Sequence, residues 1–356
     1  ATPAVDTAMR AKLLDAILGM DMTQLDETTQ ITIQRTLQII LNRFGRPDDS
    51  TVQKLITKVD PLFPSESADI NWLLCETLAY LQSPTVAAKA MALIDAAPTQ
   101  EEQVQYARSI RLLKTGWTPE LQTQYFEWFL KAANYRGGAS FAKFIEFIRN
   151  DAVATLSETQ KESLKEVLAR KPEQKSALEN LGAIFEGREE KQWSLAELVS
   201  IANSELKGRN FSNGRKMFGA AGCYACHRFQ NQGGMTGPDL TTAGRRYSVK
   251  DLLDQVVNPS KVINDQFSAV MVITDEGLVH SGVVVNLNND GLTLNTDLTD
   301  PNKRVTINRN TIDEMLMSKT SPMPAGLFNR MTKEEILDLV AYLISGGDQS
   351  HQFFNN

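Results

Sequence analysis

The spacing of apolar residues changes along this chain, and that change limits the folds open to it. Through the first half, apolar residues recur three and four apart. From about residue 266 they alternate, and in the last segment, TKEEILDLVAYLISGG, the helical spacing returns. An all-helical fold and an all-β fold are both excluded.

In the first half, DTAMRAKLLDAILGM, QITIQRTLQIILNRF, DSTVQKLITKV, ADINWLLCETLAYL and PTVAAKAMALIDAA are amphipathic helices joined by short segments with Pro, Gly or Ser. EEQVQYARSIRLLKTGW, PELQTQYFEWFLKAAN and SFAKFIEFIRNDAVATL continue the pattern, with Trp117, Phe126, Trp128, Phe129, Phe141, Phe144 and Phe147 expected as an aromatic core. Residues 1–185 are therefore expected to form a HEAT-like α-solenoid, in which helix pairs bury their apolar faces on one another. No repeat period is fixed by the residues, so a helical bundle competes with it. SETQ at 157–160 and SLAE at 194–197 fit the capping-box pattern. The charged run EGREEKQW places a linker or helix at residues 186–206.

Residues 207–356 form the second expected domain. GRKMFGAAGCYACH predicts a short helix running into a cysteine pair, and SVKDLLDQVVN predicts another that stops at Pro259. FSAVMVIT, LVHSGVVV, GLTLNT and KRVTIN are alternating β-branched runs separated by DEG, NNDG and DP turns, a small antiparallel insertion over about residues 266–313. NLNNDGLTLNTD imitates part of a calcium loop at Asn286, Asn288, Asp290, Gly291 and Asp297, but it lies between strands rather than helices, so a hairpin turn is expected. In the terminal helix, Thr332 and Glu335 match a capping box and Gly346 a C-terminal cap.

With 356 residues, 42% of them hydrophobic, the chain has material for two cores. A net charge of −6 opposes a nucleic-acid partner, which requires a concentrated basic face. No apolar run is long enough to span a bilayer. The opening ATPAVDTAMRAKLLDAILGM lacks a basic stretch followed by an apolar core, and is not read as a secretory signal.

Of three cysteines, Cys75 lies among apolar neighbours at helical spacing and is expected to pack as a small hydrophobe. Cys223 and Cys226 stand in CYACH, immediately before His227. Zinc requires four ligands, and no second paired set of Cys or His follows. A thioredoxin-like pair belongs between a strand and a helix, whereas a helix precedes this one and a Gly-rich loop follows. A disulfide leaves His227 unexplained. Covalent haem attachment accounts for all three residues: each thiol adds to a porphyrin vinyl group, and the imidazole ligates the iron.

Such a haem needs a ligand on its other face. Met323 in SPMPAGL is held between Pro322 and Pro324 ahead of the terminal helix, and a thioether there raises the potential relative to a second imidazole. Met317 and His280 are the alternatives. Near the anchor, Gly237, Pro238, Asp239 and Leu240 form a turn whose Pro238 carbonyl is expected to accept the His227 Nδ1 proton and fix the ring.

GRKMFGAAGCYACHRF, GGMTGPDL, VVNPSKVI, DEGLVHSGVVV, SKTSPMPAGL and TKEEILDLVAYL together make residues 210–348 resemble the planctomycete-type haem-binding cytochrome c domain. The resemblance implies a mainly α fold, a class I-like cytochrome c domain with a small antiparallel β-sheet inserted between haem anchor and Met loop. The helical half, with KTGWTPELQTQYFEWFLKA, resembles the HEAT-like segment that precedes the haem domain in such proteins. Many of those proteins also carry a β-propeller resembling soluble sugar dehydrogenases; these 356 residues contain none.

The expectation is a c-type cytochrome with one covalent haem c. Cys223, Cys226, His227, Met323, Pro238 and Leu240 form the cofactor site, with His227 and Met323 on the metal. By the resemblance, a redox partner, a sugar- or alcohol-oxidising dehydrogenase, supplies electrons, and the location is periplasmic or otherwise extracytoplasmic, the cell surface included. The competing expectations are a haem enzyme or sensor with an exchangeable distal ligand, and a HEAT-type interaction scaffold with an accessory haem.

Overall fold

The computed structural model describes residues 6–138, 140–173, 185–300 and 302–355. The chain divides into two compact units, residues 1–174 and 175–356. Among the described residues no helix is long and apolar enough to cross a membrane.

The first unit is helical: α1 (Thr7–Gly19), α2 (Glu27–Phe44), α3 (Asp49–Val59), α4 (Ala68–Leu81), α5 (Val86–Ala96), α6 (Gln100–Ile110), α7 (Pro119–Ala132), α8 (Phe141–Ala154), α9 (Glu158–Ser163) and α10 (Lys165–Ala169). The starts follow from local chemistry. Asp6, Asp26, Asp48, Ser67, Thr99, Thr118 and Ser157 each accept a hydrogen bond from an otherwise unpaired amide of the first turn. Helices pack on second neighbours as well as on adjacent ones: α2 on α4, α4 on α6, α6 on α8 and α5 on α7. One continuous core results, with Leu37, Leu55, Leu74, Leu78, Ala107 and Ile110 among its most buried members. Cys75 is buried there.

The aromatic core is smaller than the sequence suggests. Phe126, Trp128 and Phe129 are buried, and Trp117 and Phe141 are partly buried against the same core. Phe144 and Phe147 are exposed, because α8 turns Ile145, Ile148 and Ala152 inward; Lys143 covers the Phe147 ring at 5.4 Å.

The second unit holds α11 (Leu195–Glu205), α12 (Phe211–Ala220), α13 (Cys223–Cys226), the short pair β1 (Arg228–Phe229) and β2 (Gln232–Gly233), α14 (Ala243–Arg246), α15 (Val249–Val257), β3 (Ala269–Thr274), β4 (Val279–Leu287), β5 (Gly291–Asn295), β6 (Arg304–Asn308), β7 (Ile312–Met317) and α16 (Lys333–Ser345). The charged run before α11 is tied down rather than free. Arg188 pairs with Glu335, Glu190 with Arg330, and Lys191 Nζ stands 3.4 Å over the Trp193 ring, while Leu198 and Ala202 of α11 join the core of this unit. At SLAE only half of the capping box forms: Ser194 accepts from the Glu197 amide, but the Glu197 carboxylate pairs with Lys191 instead of turning back.

That core is organised by α12 against α16. Phe218, Tyr342, Phe229 and Tyr224 interlock with ring centroids 4.7–5.8 Å apart. Burying each such ring contributes roughly 1.5–3 kcal/mol. The helices meet at Gly214, where a Cβ would lie 2.2 Å from the Asp338 carbonyl oxygen, so only glycine admits this approach. The buried Asp338 carboxylate accepts from the Asn210 amide and from Asn213 Nδ2 at the start of α12. Both halves of the Thr332–Glu335 capping box form on α16, and Gly346 ends it in the left-handed conformation.

The strands form one antiparallel sheet in the order β6-β5-β4-β3-β7. β4 serves two neighbours: Val279 to Val283 pair with β3, and Val283 to Leu287 pair with β5, with an irregularity between Val284 and Asn286. Only the turn Arg309–Thr311 joins the two edge strands. Four residue steps reach at most about 14 Å, whereas edges of a flat five-stranded sheet stand about 19 Å apart. The sheet must therefore roll, and Val270, Val272, Leu292, Leu294 and Ile307 fill its interior. β7 is absent from the sequence reading, which ends the insertion near residue 313. IDEMLM shows no alternation because its residues 313–317 are all exposed on an edge. NNDG forms the expected hairpin turn: Asn288 Oδ1 accepts from the amides of Asp290 and Gly291.

Candidate functional site

The cysteine turn is built from α12 outward. Gly222, at φ +79°, ends that helix and starts the single turn of α13, in which the His227 amide donates to the Cys223 carbonyl at 2.9 Å. Cys223, Cys226 and His227 are thereby presented together. The following Gly-rich loop is bound back onto the turn by Gly234 N to Tyr224 O (2.8 Å), Gly237 N to Cys226 O (2.8 Å) and Leu240 N to Arg228 O (2.9 Å).

His227 Nδ1 lies 2.8 Å from the Pro238 carbonyl oxygen. A carbonyl only accepts, so Nδ1 carries the proton and Nε2 keeps its lone pair. Burial pushes the His227 pKa below the usual value, and the bond to Pro238 only partly offsets it. The ring is also confined from the side: a Cβ on Gly237 would stand 3.0 Å from Nδ1 and Cε1.

Both thiols are free and half-buried. Burial pushes Cys223 up to about 12. Burial also raises Cys226; the Thr236 hydroxyl acts against this and the Asp297 charge adds to it. The pair is held as neutral thiols rather than as a thiolate nucleophile. Between them in sequence, Tyr224 points away into the core, its hydroxyl 3.0 Å from that of Tyr342.

These groups line a partly open cleft of about 150 Å³. The lining includes Cys223, Cys226, His227, Gly237 and Pro238 from the cysteine turn and the loop after it, and Ser321, Pro322, Met323 and Pro324 from a second loop. Pro259, Val262, Ile263 and Phe267, from the segment between α15 and β3, and Leu327 add apolar surface. The Met323 loop is anchored: its amide donates to Ser321 Oγ (3.2 Å), and the Ser321 amide to Ser260 Oγ (3.0 Å).

Of the residues singled out from sequence, Cys223, Cys226, His227, Pro238 and Met323 face this cleft together. Leu240 does not: its side chain packs into the core of the second unit. Neither Met317, exposed on β7, nor His280, on β4, reaches the lining. Sequence reasoning missed a third contribution, Leu298 and Thr299 from the β5–β6 loop. Thr236 Oγ1 donates to the Leu298 carbonyl and so joins that loop to the cysteine turn. No local sequence signal marks a contact of this range.

The donor set fits a covalently held haem. Two unpaired thiols and an imidazole with its outer nitrogen occupied share a mostly apolar cleft with a thioether, and among the described residues no cluster of His, Cys, Asp or Glu forms a competing metal site. The family model of cytochrome c matches residues 211–271. The match runs from the start of α12 through the cysteine turn and α15 into β3, and ends before Met323. No curated protein matches the chain.

Proposed function

From the cytochrome c domain at residues 211–271, with the haem-binding and electron-transfer role and the covalent haem c it implies, we propose that this chain is an electron-transfer protein carrying one haem. Cys223 and Cys226 would hold it by thioethers, and His227 Nε2 and the Met323 thioether would ligate its iron. The iron, when bound, supplies a one-electron couple. The residues supply the rest. The Pro238 carbonyl orients His227 and keeps its tautomer, the apolar wall around Val262, Ile263 and Phe267 excludes water, and the proline-flanked loop holds the Met323 sulfur.

The observation that carries this reading is the placement of Met323 in the same cleft as His227, whose Nδ1 is engaged by Pro238. A soft, neutral thioether and an imidazole together favour a stable, relatively high-potential couple over an open coordination position. That is the property of a carrier and not of a peroxidase or gas sensor. The crossing of α12 on α16 and the rolled sheet between cysteine turn and Met323 loop support a class I-like, planctomycete-type domain. Packing of helices on their second neighbours supports reading the first unit as a HEAT-like solenoid. The partner, on the resemblance, is a sugar- or alcohol-oxidising dehydrogenase, and the location is extracytoplasmic, where haem c is attached. The absorption spectrum of the reduced protein tests the reading. A six-coordinate low-spin spectrum unmoved by carbon monoxide is expected; prompt carbon monoxide binding overturns it.

A further inference from the structure

The inserted sheet reaches the haem cleft through the loop between β5 and β6. Leu298 and Thr299 line that cleft, and the Thr236 hydroxyl spans the two parts, donating to the Leu298 carbonyl and standing 3.5 Å from the Cys226 carbonyl. Immediately before them, Asp297 is fixed from three directions. Its amide donates to Asn295 Oδ1 (2.9 Å), Thr299 donates to Oδ1 through its amide (3.0 Å) and its hydroxyl (2.6 Å), and Lys303 Nζ stands 3.1 Å from Oδ2. The Asp297 side chain is 20% exposed and Thr299 is 7% exposed.

We propose that Asp297 sets the reduction potential of the haem: a fixed carboxylate, carried by the inserted sheet to the cysteine side of the cleft, stabilises the ferric state electrostatically. The inference rests on the haem reading above. Ferric iron carries one more positive charge than ferrous, so a nearby anion favours the oxidised form, more strongly where the surroundings exclude water. Asp297 is held ionised: burial pushes its carboxyl up, but the Thr299 and Lys303 hydrogen bonds outweigh burial and leave it below the usual carboxylate range. Lys303, 58% exposed, offsets part of that charge. The inserted sheet thus has an electrostatic part in the site, separate from packing.

The test is a spectroelectrochemical titration of the holoprotein at neutral pH and low salt, where screening is weakest. Asp297→Asn keeps the hydrogen-bond acceptor and removes the charge; it is expected to shift the ferric/ferrous equilibrium about three- to tenfold toward the reduced form, a tenfold change being about 59 mV for one electron. Lys303→Gln is expected to shift it the other way, by less. An unmoved or lowered potential in Asp297→Asn, with an unchanged haem spectrum, overturns the proposal. Should Asp297→Asn fail to fold, Lys303→Gln decides: a fall supports the proposal, and no change or a rise overturns it. Absence of covalent haem from the parent protein overturns the functional reading and this inference with it, whereas haem present with an unresponsive potential overturns this inference alone.

Discussion

Gly214 and the carbonyl oxygen of Asp338 are in direct apposition, 2.2 Å from the position a Cβ would take, so the crossing of α12 and α16 depends on an absent side chain. Gly214→Ala would gain about 1 kcal/mol of helix propensity and meet main chain that has no room to move. Overpacking of this kind costs about 1–3 kcal/mol or more, so the clash wins. Urea denaturation of the holoprotein is expected to show a lower midpoint, and thermal unfolding a Tm reduced by several degrees.

Met323→Ala removes the thioether of a residue that lines the cleft together with the cysteine turn. The expected outcome is high-spin iron and a lower potential, read by absorption spectroscopy and redox titration. Met317→Ala, on the exposed edge of β7, is expected to leave both unchanged. Reversal of the two results would transfer the distal role to Met317.

Cys223 and Cys226 share the cleft, while Cys75 is sealed in the other unit's core. With Cys223 and Cys226 both replaced by Ala, the denatured chain is expected to carry no haem mass and no haem stain on a gel. Cys75→Ala is expected to retain both. Mass spectrometry of the denatured proteins distinguishes these outcomes.

Glu335 combines two tasks, accepting from the Thr332 amide at 2.9 Å and pairing with Arg188 at 2.7 Å. Burial pushes its pKa up, but the hydrogen bonds to Arg188 and Thr332 outweigh burial and leave it depressed. A depressed folded-state pKa contributes stability that is fully present above the unfolded value and is lost as pH falls through the folded one. The second unit is therefore expected to lose stability on the acid side of the carboxylate range. Glu335→Gln should flatten that limb while lowering stability at neutral pH, as denaturant titrations across pH would record.

What the sequence makes legible here is local. Caps at Ser157 and Thr332, the CYACH turn and the proline-flanked Met323 each carry their signal within a few residues. The Pro238 carbonyl was readable because it lies eleven positions from His227 in a Gly-rich loop that has to turn back. β7 was not, since an edge strand exposed on both faces shows no alternation. Phe144 and Phe147 misled because apolar character does not say which flank of α8 faces inward. Leu240 shares a turn with Pro238, yet its side chain packs against the core, and adjacency in a turn does not say which way a side chain leaves it. Thr236 and Leu298 are 62 positions apart, with α15 and the strands β3 to β5 between them.

The separation of α12 from α16 has a kinetic consequence. Asn213 and Asp338, which meet at the crossing, are 125 positions apart, so closing that contact orders a very long loop. High contact order slows folding. The intervening sheet, by contrast, is built largely from hairpins, with Thr293 and Thr306 only 13 positions apart across β5 and β6, and even its longest pairing, Val270 with Met317, is far more local than the helix crossing. If it forms first it removes its own residues from the loop that remains to be closed, acting as a compact spacer that shortens the search of the last helix for the first.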